Sequence, residues 1–101
     1  MTTAIQSKTT VVENQDFKLP AKWNVIFYND DTTSFDFVIQ VLTVIFSYDE
    51  FSAEDKAREI HENGNSVVGT YFYEIAEQKS AETVYNARTA GFPLKVEIVP
   101  E

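Results

Sequence analysis

Residues Trp23 to Tyr28 form a β-branched and aromatic run, bounded by Pro20 on one side and by Asn29-Asp30-Asp31 on the other, which predicts a first strand. Beyond Thr33 and Ser34, either of which suits a helix N-cap, apolar residues recur at spacings of three and four: Phe35, Val38, Ile39, Leu42, Ile45 and Phe46. That stripe predicts a first helix running to about Phe46. Ser47 to Glu50 breaks the period, and Ser52 with Asp55 three residues on resembles a capping pair, so a second helix is expected to begin there. Its apolar stripe of Ala53, Ala57 and Ile60 is thin, and Asn63-Gly64 supplies a left-handed stop. Val67 to Tyr73 is dense in strand formers, with Gly69 marking a bulge or a close backbone approach. Glu74 to Ala90 is rich in Ala, Glu, Gln and Lys and is followed by Gly91, the pattern of a third helix. Leu94 to Val99 alternates apolar and charged positions and predicts a third strand.

The order β-α-α-β-α-β predicts an α+β two-layer domain over residues 21–101, with a three-stranded antiparallel sheet and three helices. Residues 1–20 show no sustained period beyond Val11-Val12 and are expected to be a mobile arm. With 101 residues, 44% of them hydrophobic, the chain can fill one core without help from a metal. The absence of Cys excludes disulfides, thiolate zinc sites and cysteine nucleophiles. A formal charge of −8, from 16 acids against 8 bases, would repel a phosphate backbone, so nucleic acid is not an expected partner. No stretch approaches the ~20 apolar residues of a membrane span, and residues 1–19 lack the apolar centre of a secretory signal. A soluble cytoplasmic protein is expected.

The run Asn29-Asp30-Asp31-Thr32-Thr33-Ser34 concentrates acceptor oxygens and negative charge between a strand and a helix, which predicts a positively charged ligand. The plainer reading is a turn, since Asn and Asp tolerate turn geometry. His61 is the one histidine, near the end of the second helix, where it is either a structural residue or a ligand contact. A histidine zinc site lacks ligands. An EF-hand loop starting at Asp30 fails, because its sixth and twelfth positions hold Phe35 and Val41 in place of Gly and Glu. A looser divalent-cation site from Asp30, Asp31 and Asp36 stays open as an alternative, making the chain a structural or sensing domain. No serine sits in a nucleophile-elbow pattern, which argues against a hydrolase. If the second helix turns Ile60 and His61 toward the acidic turn, amide, carboxylate and imidazole acceptors would meet around an ammonium with three donors. Phe35, Val38 and Leu94 would then bury the side chain attached to it.

Several segments closely resemble the ClpS adaptor family: Val25-Ile26-Phe27-Tyr28-Asn29-Asp30-Asp31-Thr32-Thr33, Phe37-Val38, Ile60-His61-Glu62-Asn63-Gly64, Gly69-Thr70-Tyr71-Phe72 and Phe92-Pro93-Leu94. The match spans about Trp23 to Val99, and Asn-Asp-Asp-Thr followed later by His-x-x-Gly is more specific than either piece. The resemblance implies a monomeric, non-enzymatic, cofactor-free adaptor of the bacterial N-end rule. Such an adaptor holds substrates with a bulky N-terminal residue (Phe, Tyr, Trp or Leu) and delivers them to the N-terminal domain of the ClpA unfoldase of the Clp protease. By matching position, Asn29, Asp30 and His61 would hold the substrate's α-amino group, and Asp31, Thr33, Phe35, Val38, Ile60 and Leu94 would shape the side-chain pocket. Glu74 and Lys79 match positions that contact the unfoldase; without the resemblance they read as ordinary surface charges. Phe35 and Ala57 depart from the family pattern, standing where Met is common.

Overall fold

The computed structural model describes residues 21–101, so the arm expected over residues 1–20 lies outside the described residues. The elements in chain order are β1 (Lys22–Tyr28), α1 (Phe35–Val44), α2 (Glu50–Asn63), β2 (Asn65–Phe72), α3 (Tyr73–Thr89) and β3 (Lys95–Pro100). They form the expected α+β domain, three helices with a three-stranded antiparallel sheet in the order β2-β1-β3.

β1 holds the centre because its alternation serves two faces. Val25 and Phe27 point into the core with no exposure, while Asn24, Ile26 and Tyr28 lie on the opposite face. Phe27 meets the ring of Phe46 edge-on at 5.4 Å. α3 lies along all three strands, α2 packs on β2, and α1 packs on α2. Ala53, Ala57 and Ile60 are the buried residues of α2, so the thin stripe is the packing face, as its spacing predicts. Thr83 is fully buried in α3, and its hydroxyl donates to the Lys79 carbonyl at 2.8 Å, leaving no orphaned donor.

Pairing slips between Val25 and Ile26, which face Gly69 and Val67, so Val68 is the extra residue of a bulge. Gly69 beside it is under the Tyr71 ring, which a Cβ would overlap. The expected bulge lies beside Gly69, and the close approach is made by a side chain, the Tyr71 ring, rather than by backbone.

Two expected helix ends move. Helix α2 does not start at a Ser52–Asp55 pair: Asp49 is the N-cap, its carboxylate accepting from the Ser52 N–H at 2.8 Å and the Ser52 hydroxyl at 3.0 Å. A carboxylate at the N-cap reaches the orphan donors of the first turn, and the serine becomes its partner. Helix α1 ends at Val44, with Ile45 as C-cap and Ser47 at φ 62 turning the chain back. Ile45 and Phe46 stay buried although they lie past its end. Val41 joins the buried stripe and Phe35, 41% exposed, leaves it, because the face turned inward centres on Val38, Val41, Leu42 and Ile45.

Candidate functional site

Where β1 runs out, the chain closes a tight turn around one carboxylate. Asp30 Oδ1 accepts from the backbone N–H groups of Thr32 at 2.8 Å and Thr33 at 2.7 Å, and Oδ2 accepts from the Thr33 hydroxyl at 2.8 Å. With Thr33 committed to Asp30, the N-cap of α1 falls to Ser34, whose Oγ accepts from the Phe37 N–H at 3.1 Å. Partial burial pushes the Asp30 carboxyl up, but the Thr33 and Thr32 bonds and the charge of Arg88 outweigh it and hold the group below the usual carboxylate range. Asp30 is thus an anion at neutral pH. A carboxylate has about four acceptor sites, so three bonds leave about one for a ligand donor.

A single backbone bond fastens this turn to α2. Gly64 caps the helix at φ 90, its N–H donating to the Ile60 carbonyl at 2.9 Å. The Gly64 carbonyl in turn accepts the Asn29 N–H at 2.9 Å. His61, less than one turn before that cap, is thereby brought to the acidic turn. Asn29, Asp30, Asp31, Thr33, Phe35, Val38, Ala57, Ile60 and His61 line one concavity of about 430 Å³. Its lining is of two kinds. Asn29, Asp30, Asp31, Thr33 and His61 supply polar groups, while Val38, Ala57 and Ile60 form a buried apolar floor and Phe35 stands half-exposed beside them. Such a site can hold a small cation and an apolar group attached to it.

A family model described as ATP-dependent Clp protease adaptor protein ClpS matches residues 18–97. The chain belongs to the ClpS family. It is 41% identical over 87 residues to the Clp protease adapter protein ClpS of Nautilia profundicola, covering 85% of this chain and 90% of that one. Identity to ClpS of Deinococcus radiodurans is 36% over 96 residues, covering 95% and 85%. The structure of Agrobacterium tumefaciens ClpS2 bound to L-phenylalaninamide superposes with a TM-score of 0.80 at 34% identity, covering 82% of this chain and 100% of that chain. As a ClpS adaptor, the chain works in protein degradation by the ATP-dependent Clp protease.

Every residue expected for the amino-group and side-chain sets of this ClpS chain lines the concavity except Leu94. Leu94 is 1% exposed in the central core. The Arg88 guanidinium donates to the carbonyls of Phe92 at 2.9 Å and Leu94 at 3.1 Å, fixing the approach to β3. A leucine just ahead of a strand carries no sequence signal to separate core from pocket wall. Ala57 also lines the concavity, at the position the family resemblance marked as smaller than the common Met; its place in the α2 stripe alone reads only as core.

Glu74 is exposed in the first turn of α3, beside the exposed Phe72, Tyr73 and Ile75. Lys79 faces inward instead. Its ammonium donates to the Ile45 carbonyl past the end of α1 at 2.7 Å and lies over the rings of Tyr71 at 5.4 Å and Phe46 at 5.7 Å. Five residues apart on one helix, Glu74 and Lys79 point about 140° away from each other. Asp36 does not join Asp30 and Asp31: it lines a separate depression with Ile39, Glu50, Phe51 and Glu54. Among the described residues no group of three or more His, Asp or Glu side chains could hold a metal ion, and no helix is long and apolar enough to cross a membrane.

Proposed function

We propose that this ClpS chain binds proteins beginning with a bulky hydrophobic residue, Phe, Tyr, Trp or Leu, and delivers them to the ClpA unfoldase of the ClpAP protease. It acts as a monomeric cytoplasmic adaptor, not as an enzyme. The observation that carries this is the mixed lining of the concavity, in which acceptors and an apolar floor share one cavity. Asn29, Asp30 and His61 take the three N–H donors of the substrate's α-ammonium, and Asp31, Thr33, Phe35, Val38 and Ile60 enclose its side chain. The ligand of the Agrobacterium relative supports this, since phenylalaninamide joins an α-amine to a benzyl group. Glu74, in the exposed first turn of α3, meets the unfoldase, and residues 1–20 assist delivery; Lys79 takes part through whatever donors its bond to Ile45 leaves.

The magnitudes require both kinds of contact. An α-amino group titrates near ~7.7 to 8.0, so at neutral pH it is mostly protonated and donates charge-assisted bonds of ~1.5 to 3 kcal/mol each. Burying a Leu or Phe side chain adds ~1.5 to 3 kcal/mol. A micromolar complex needs ~8 kcal/mol net of the association penalty, which neither kind reaches alone. Fluorescence anisotropy with a labelled Phe-initiated peptide tests the conjunction: the free amine binds and the acetylated peptide does not. Equal binding of the two would refute amine recognition, and calcium uptake in place of peptide binding would restore the cation-site alternative.

A further inference from the structure

We propose that Ala57 sets the size of the side-chain end of the site and opens it to the two-ring side chain of an N-terminal Trp, in preference to Leu. This rests on the peptide-binding function proposed above and specifies its substrate class.

The floor of the concavity is made by Val38, Ala57 and Ile60, which are 8%, 2% and 2% exposed, so none can swing aside without disturbing the core. Phe35 is different, being 41% exposed and outside the buried floor. The fixed part of the cavity's shape is therefore set by three side chains, and Ala57 is the smallest of them. It also sits in register with the amine-binding end. Ala57 and His61 are four residues apart on α2, on one face and about 6 Å along the helix axis. A ligand whose ammonium is held near His61 sends its side chain one turn back along α2, toward Ala57. With only a methyl there, space remains for a second ring, whereas a Leu side chain leaves it unfilled. The volume of the whole concavity, about 430 Å³, is in the range of small-molecule sites.

The competing explanation is that Ala57, like the fully buried Ala53 one turn earlier, is small only so that α1 and α2 can approach. The two explanations separate on selectivity. Anisotropy is measured for Trp-, Phe- and Leu-initiated peptides with free amines on the full chain, on Ala57→Met and on Ala57→Cys, with thermal melting of each. The unsubstituted chain should prefer Trp to Leu. In Ala57→Met the Trp peptide should weaken about tenfold or more while the Leu peptide changes less than about threefold, which shifts the preference toward Leu. Because the chain has no cysteine, Ala57→Cys adds a single thiol and only one heavy atom. Saturating Trp peptide should slow its alkylation severalfold. The proposal is overturned if Leu binds the unsubstituted chain as tightly as Trp, if both peptides weaken in the same proportion in folded variants, or if Trp peptide leaves alkylation unchanged. Failure of every free-amine peptide to bind the unsubstituted chain would instead sink the peptide-binding function itself.

Discussion

A carboxylate that already accepts three hydrogen bonds has little capacity left for a ligand, yet at Asp30 the structural duty supports the proposed binding one. The bonds from Thr32 and Thr33 fix the carboxylate's direction before a ligand arrives, so binding need not order it. Removing it should therefore affect fold and binding together. Asp30→Ala is expected to destabilise the domain by about 1 kcal/mol at pH 7, the lower part of the range for a lost cap because water reaches this turn. The sign of its pH dependence follows from the direction of the shift. The folded pKa lies below the unfolded value, so the contribution is complete above the ordinary Asp range near ~3.9 and is lost as pH falls through the folded value. Urea melts of wild type and Asp30→Ala should converge in acid; a gap that persists unchanged would contradict this account. His61 separates the duties, because it is exposed and its loss leaves the core intact. His61→Ala should keep its urea midpoint and lose about tenfold or more in affinity for a Phe-initiated peptide, the worth of one bond to a charged donor.

Helix α2 supplies Ala57, Ile60 and His61 to the concavity, and its terminus is joined to the acidic turn that completes it. Gly64 adopts φ 90 and Gly91, after α3, adopts φ 85; neither has an atom within 4 Å of a built Cβ, so an alanine at either position suffers backbone strain alone. Each Gly→Ala change should cost roughly 1 to 2 kcal/mol in denaturant melts. Only Gly64→Ala should also weaken peptide binding per folded molecule, because the Gly64 carbonyl holds Asn29 against the end of α2. Matching affinity losses in the two variants would show that the joint plays no special part. The opposite end of α2 shows how far local signals reach. Asp49 and Ser52 both favour a first turn, and which of them caps depends on where the chain leaves Ser47, whose φ of 62 no spacing rule anticipates.

Over the whole molecule, the concavity is built entirely between Asn29 and His61, inside the folded domain. A chain beginning at Ala21 should therefore bind a Phe-initiated peptide within about twofold of the full chain while delivering substrates for degradation more slowly. Equal degradation rates would remove the arm from the mechanism. What the sequence determined by itself is the local architecture: six elements from apolar periods, strand-forming runs and helix-forming composition, the left-handed stop at Gly64, the bulge beside Gly69, and a corner rich in acceptors after β1. These follow from nearest neighbours along the chain, where spacing of 2 or 3.6 residues decides which face is buried. The family motif also brought His61 to Asp30 before any packing was known. Only the tertiary structure decided that Leu94 belongs to the core and that Lys79 caps a carbonyl past the end of α1. In each of those cases the side chain's role depends on what is packed across from it, and close packing between distant segments leaves no trace in the period of either one.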